Sequence, residues 1–203
     1  PVKVDLKGGT ARELTFDGQV ASTDTLKNVE QVFGSFYGDM ISAGDEGAFL
    51  EGAFGNDVLS GGNGADVFIF ESRVIDVREL ESLIQLIGAA HLSSINFSQL
   101  ESDEVHNFGV EDSIEFLDPV SISTGTSAGT LLAGQLLFAS VAEDAVIGTR
   151  KGTMIYVGRD SVEGADLEIF LPRADPQRIS LSPDRLRISL LPESDLPSDE
   201  ADL

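Results

Sequence analysis

The residues best placed to do chemistry in this sequence are three aspartates, Asp39, Asp57 and Asp66. Each stands two positions before an apolar residue (Ile41, Leu59 and Phe68), and each is set among glycines. From Asn28 to Ser72 the chain holds no Lys or Arg, yet Glu30, Asp39, Asp45, Glu46, Glu51, Asp57, Asp66 and Glu71 all fall there. Carboxylates gathered in this way need neutralising charge from outside the segment, and cations are the natural partners. The whole chain points the same way. Thirteen Lys and Arg against 35 Asp and Glu give a formal net charge of −22, which argues against nucleic acid or an anionic membrane as partner. With no cysteine there is no disulfide, no thiolate chemistry and no Cys-based zinc or iron–sulfur site.

Other chemistry has little to draw on. Gly62-Asn-Gly64 lacks the third glycine of a dinucleotide fingerprint and leads into a strand pattern rather than a helix. The sequence has no H-E-x-x-H, G-x-S-x-G, G-x-x-x-x-G-K-[ST] or EF-hand pattern, so no catalytic residue is assigned and the chain reads as a non-enzyme. His91 and His106 are the only histidines and read as surface or cap residues. The acidic pairs Asp103-Glu104 and Glu111-Asp112 are of a kind that an acidic protein supplies by chance. No apolar run approaches the roughly 18 residues of a membrane span, and no signal peptide is visible. A first residue of Pro1 rather than Met leads us to expect a processed or cut chain.

The elements that must position the aspartates follow from the glycines, nine of the 21 lying between Gly34 and Gly64. Alignment in nines gives Gly34 to Ser42, a decayed copy from Ala43 to Glu51, then Gly52 to Ser60 and Gly61 to Ile69. The last copy fits G-G-x-G-x-D-x-U-x at every specified position. Counting back in nines from Phe68 meets Leu59, Leu50, Ile41 and Val32, an apolar residue each time. Each unit reads as a glycine turn followed by a three-residue strand whose U residue points inward. Two units make one circuit, so residues 18 apart stack, and Asp39 lies over Asp57. One circuit from Asp66 the partners are Ala48 and Ile84. Stacked carboxylates about 5 Å apart would repel by roughly 3 kcal/mol at an effective dielectric near 20, whereas a hard divalent cation taking about six oxygens turns the repulsion into coordination.

This array resembles the parallel β-roll of the repeats-in-toxin (RTX, hemolysin-type) family, secreted calcium-binding proteins of bacteria. Leu26-Lys-Asn28-Val29-Glu30-Gln-Val32-Phe-Gly34-Ser35 is similar to the lead-in that opens such arrays. Asn107-Phe108 through Asp112-Ser-Ile114 is similar to the segment that follows the last repeat, with Asn107 where Asp is usual. The resemblance implies calcium as cofactor, held by Asp carboxylates and turn carbonyls. One site would use Asp39 and Asp57 with the turns at Gly34 to Gly38 and Gly52 to Gly55. A poorer one would use Asp66 with Gly61, Gly62 and Gly64, helped by Asp45 or Glu46. Ala53 in place of glycine and Ala48 in place of Asp depart from the pattern and open the alternative of an array that folds with little or no metal.

Beyond the repeats, Asp76-Val-Arg-Glu79 starts a helix pattern over 76–88 with Val77, Leu80, Leu83, Ile84 and Ile87 on one face, and 89–103 reads as loop with a short turn of helix. From Val105 the pattern is β again through Leu117, followed by strands at Gln135 to Ala139, Thr153 to Val157 and Leu167 to Leu171. The expectation is an all-β chain: a short right-handed parallel β-roll with lead-in over 1–72, a helical insertion over 73–104, a C-terminal β cap over 105–191 and a disordered acidic tail over 192–203. The expected role is a calcium-binding module of an exported bacterial protein, extracellular or at the cell surface, passed by a type I exporter and folding on calcium outside the cell. Alternatives are an assembly or adhesion subunit that packs against itself or another protein, and an accessory domain of a secreted protease or polysaccharide-modifying enzyme.

Overall fold

The computed structural model describes residues 1–71, 101–124, 127–141, 151–160 and 163–195. The regular secondary structure of these residues is β apart from three-residue 3-10 turns. Sixteen strands form two mixed sheets. They are β1 (Val2–Asp5), β2 (Thr10–Leu14), β3 (Val20–Thr25), β4 (Gln31–Phe33), β5 (Met40–Ser42), β6 (Phe49–Glu51), β7 (Val58–Ser60) and β8 (Val67–Phe70), then β9 (Glu101–His106), β10 (Ser113–Phe116), β11 (Ser121–Ile122), β12 (Gln135–Val141), β13 (Gly152–Gly158), β14 (Leu167–Pro172), β15 (Ile179–Leu181) and β16 (Arg187–Leu190).

The ten-stranded sheet runs β11-β12-β13-β14-β9-β7-β5-β1-β2-β3, and the six-stranded sheet runs β15-β16-β10-β8-β6-β4. From β4 to β10 the chain crosses from one sheet to the other at every strand, so that neighbours within a sheet are parallel and alternate in sequence. Met40 lies beside Val58, and Phe49 beside Val67, the 18-residue step expected of two nonapeptides per circuit. The short strands form because each copy supplies only three residues between glycine turns.

The inward residues of the two sheets meet. Ile41, Leu59 and Val105 from one sheet and Leu50, Phe68 and Ile114 from the other are fully buried in one continuous cluster. Each such side chain contributes about 1.5–3 kcal/mol by leaving water. Antiparallel strands flank the parallel centre: the β1–β2–β3 meander on one side, and β12, β13 and β14 on the other, with Ile155, Val157, Leu167 and Ile169 extending the core.

Three expectations are corrected. Residues 101–103, read as loop, open strand β9, because Glu101 to Glu104 pair with β14 on one side and Glu104 to His106 with β7 on the other. The run from Val105 to Leu117 is two strands in different sheets, separated by a turn in which Asn107 adopts a left-handed backbone (φ 56°). In the tail, Glu193–Asp195 form a 3-10 turn. The helix expected over 76–88 and the tail from 196 onward lie outside the described residues. No helix among the described residues is long and apolar enough to cross a membrane.

Candidate metal centre

The turns between the strands deliver two columns of buried aspartates. In the first, Asp39, Asp57 and Asp103 occupy the same place in successive circuits of the ten-stranded sheet, and in the second Asp66 and Asp112 do so in the six-stranded sheet. All five are buried. Each gives one carboxylate oxygen to a backbone N–H in the preceding circuit or in β1. Val2 N donates to Asp39 Oδ1 at 2.6 Å, Asp39 N to Asp57 Oδ1 at 2.7 Å and Asp57 N to Asp103 Oδ1 at 2.8 Å. In the second column Ala48 N donates to Asp66 Oδ1 and Asp66 N to Asp112 Oδ1, both at 2.9 Å.

The other oxygen turns back to its own loop. Ser35 N donates to Asp39 Oδ2, Gly62 N to Asp66 Oδ2 at 2.6 Å, and Gly109 N to Asp112 Oδ2 at 2.8 Å. Asp57 breaks the pattern, because its Oδ2 is buried and has no hydrogen-bond partner. The N–H that should serve it belongs to Ala53, which stands where Ser35 and Gly62 stand in their copies and adopts a left-handed backbone at φ 65°.

Electrostatics follow from this burial. Burial pushes Asp57 up to about 9, with Asp103 and Asp39 adding like charge. Asp103 is pushed up to about 7 by burial, assisted by Glu101, while the Asp57 N–H and Arg159 oppose the rise. Asp66 is raised by burial, against the N–H groups of Gly62 and Ala48, with Asp112 adding repulsion. Glu51 is pushed to about 7 by burial and the nearby Glu71. An acid-rich interior of this kind holds either protons or a cation.

The glycines expected at the site are close to these oxygens. A Cβ on Gly34 would collide with Asp39 Oδ2 and the Gly52 carbonyl, and one on Gly52 with the Asp57 carboxylate, so the residue five before each of these Asp must lack a side chain. A Cβ on Gly61 would sit 3.1 Å from Asp66 Oδ2, 3.3 Å from Asp112 Oδ2 and 3.3 Å from the Asn107 carbonyl, a point on which three oxygens converge. Gly55 (φ 118°), Gly62 and Gly64 abut the turn backbone of the preceding circuit, Gly62 against the Gly44 carbonyl. Asp45, expected to help Asp66, is instead an exposed residue bound by Lys7 Nζ at 2.7 Å and Asn63 Nδ2 at 2.6 Å, and Glu46 is exposed. Among the described residues no group of three or more His, Asp or Glu is arranged to hold a metal ion, so a cation at these columns would need carbonyl oxygens as well.

Two residues of the columns escape the sequence reading. The neighbour of Asp66 in the following circuit is Asp112, not Ile84, and that of Asp57 is Asp103. Both pairs are 46 apart, 28 more than the 18-residue step. The signal was present: Asp103-Glu-Val105 and Asp112-Ser-Ile114 repeat the D-x-U spacing nine residues apart, in a frame displaced by that interval. Arg159 closes the neck of the intervening segment, with Nε donating to the Glu71 carbonyl at 3.1 Å and Nη1 paired with Glu101. His106 Nε2 lies 2.6 Å from Glu104 Oε2, and His91 lies outside the described residues. No protein-family model matches this chain, and none of the curated proteins matches it.

Proposed function

We propose that this chain is a calcium-binding module of the repeats-in-toxin kind, a short parallel β-roll with a C-terminal β cap, carried by an exported bacterial protein. Folding on calcium outside the cell, it would serve secretion, stabilisation or surface anchoring of that protein. The observation that carries the reading is Asp57 Oδ2, an unpartnered carboxylate oxygen buried in a column with Asp39 and Asp103. Asp57 and Asp39 with carbonyl oxygens of the turns at Gly34 to Gly38 and Gly52 to Gly55 would hold one ion, and Asp66 with Asp112 and the Asn107 carbonyl a second. Bound calcium supplies the charge that lets these carboxylates stay ionised away from water. The rest is the work of the chain itself: glycines bring the turn backbones close enough to face the carboxylates, and the apolar residues two positions on fix each turn to the core.

A second reading, a metal-free array, is favoured by the N–H donors that already satisfy Asp39, Asp66 and Asp112. Far-UV circular dichroism of the full chain with chelator and with millimolar calcium separates the two. A chain that gains β structure or melts at markedly higher temperature in calcium than in chelator supports the calcium module, whereas identical, cooperative melting in both favours the metal-free array. The assembly and enzyme-accessory roles use the same module and differ in what is attached to it. Sedimentation velocity in calcium addresses the first, for which self-association is expected.

A further inference from the structure

We infer that the cleft between the β9–β10 turn and the segment joining β14 to β15 binds a small carboxylate with an apolar body. The cleft encloses about 380 Å³ and is lined by His106, Phe108 and Val110 on one side and by Arg173, Arg178 and Leu190 on the other. That volume falls in the range of small-molecule sites, which pair an apolar lining with a few converging polar groups. Phe108 packs on the core through an edge contact with Phe68, and Leu190 is buried, so the apolar side is fixed.

The polar side is cationic, in a chain whose net charge is −22. Two of its three basic groups are already engaged: His106 with Glu104, and Arg178 with the Leu191 carbonyl at 2.9 Å and, more loosely, Glu193 at 3.6 Å. Arg173 differs. It has no ion pair or side-chain hydrogen bond among the described residues, although carboxylates outnumber bases 35 to 13 in the sequence. It is also held on left-handed backbone (φ 66°), a conformation that costs a non-glycine residue free energy, with its N–H fixed to the Lys151 carbonyl at 2.8 Å. A guanidinium without a partner in a cleft that also presents Phe108 and Leu190 matches a planar carboxylate through two parallel N–H···O bonds. An aromatic or branched aliphatic acid would place its body against Phe108 and Leu190. Such a carboxylate has two sources, a free small acid or the C-terminus of a peptide.

The test is a heteronuclear NMR titration of the full chain in calcium-containing buffer. The probes are phenylacetate, phenylacetamide, acetate, and a tetrapeptide ending in Phe with a free or an amidated C-terminus. We expect phenylacetate to shift the amides of 106–110 and 173–174, with phenylacetamide and acetate at least about tenfold weaker. Arg173→Ala should weaken phenylacetate about tenfold, Arg173→Lys should recover part of that loss, and both variants should keep the wild-type dichroism because Arg173 is exposed. Tighter binding of the free-ended peptide would assign the source as a chain terminus, and tighter binding of phenylacetate a free acid. Equal binding of acid and amide, equal binding by acetate, or an Arg173→Ala variant that binds as wild type would overturn the inference, as would the absence of binding by any probe.

Discussion

The carboxylate of Asp57 accepts the backbone N–H of Asp39 through Oδ1 at 2.7 Å, one 18-residue circuit away, while its second oxygen is buried without a partner. One oxygen therefore builds the column and the other is left for a proton or a cation. The consequences divide according to which of these is present.

Asp57→Asn should have opposite effects with and without calcium. Asparagine keeps an acceptor for Asp39 N–H and is neutral without a proton, so in chelator near pH 8, where folding requires the buried Asp57 carboxyl to take one up, the variant should be more stable by at least about 1–2 kcal/mol, each pH unit by which burial raises the pKa being worth about 1.4 kcal/mol. In calcium it should be less stable than wild type, because a ligand is gone. Paired thermal melts check this, and a variant that loses stability equally in both buffers would count against it.

The pH dependence of the metal-free chain has a definite sign. Asp57, pushed up to about 9, and Asp103 and Glu51, pushed to about 7, hold protons in the folded chain that the unfolded chain has already released. Their contribution is complete below the ordinary carboxylate range and is lost as pH rises through these values. Stability should therefore fall from about pH 4 to about pH 9, by about 1.4 kcal/mol per pH unit for each extra proton held. Above about pH 7 Asp57 alone remains. Urea midpoints in chelator across this window test the sign, and Asp57→Asn should flatten its upper part. A midpoint that climbs with pH would be inconsistent with protonated aspartates in the fold.

Deleting residues 73–100 removes 28 residues, the excess of the 46-residue step over the 18-residue one, and should leave a cooperatively folding chain. Arg159 already draws Glu71 and Glu101 together, so the shortened connection has little distance to span. A longer cut, 73–104, takes Asp103 and four residues of β9 with it and should abolish cooperative unfolding. If the shorter cut also produced a molten chain, the segment would belong to the core rather than interrupt it.

Gly52→Ala and Gly44→Ala should differ sharply. A methyl on Gly52 would drive into the Asp57 carboxylate, while one on Gly44 meets nothing nearer than Leu6 Cβ at 3.8 Å. The first should cost about 1–3 kcal/mol and the second stay within about 0.5 kcal/mol of wild type. Denaturant midpoints decide.

Much of the centre was legible because glycine turns and inward apolar residues share one period. Ile41, Leu50, Leu59 and Phe68 are buried where counting in nines places them, and Asp39 and Asp57 share a column as expected. Asp103 and Asp112 were hidden by the 28-residue displacement of frame, which makes each look like half of a chance acidic pair. Strand β9 was hidden for a different reason. Glu101-Ser-Asp103-Glu104 is polar and reads as loop, yet β14 and β7 on either side supply the pairing that its own sequence does not advertise. The N–H bonds to the carboxylates were also invisible to a reading that treats stacked aspartates only as repelling charges.

The central claim is that the buried aspartate columns hold calcium, and equilibrium dialysis of the chelator-stripped full chain against radioactive calcium tests it most directly. Saturable binding at submillimolar calcium is expected, losing one ion per chain in Asp57→Asn. No retained calcium at millimolar concentration, or binding unchanged in that variant, would contradict the claim.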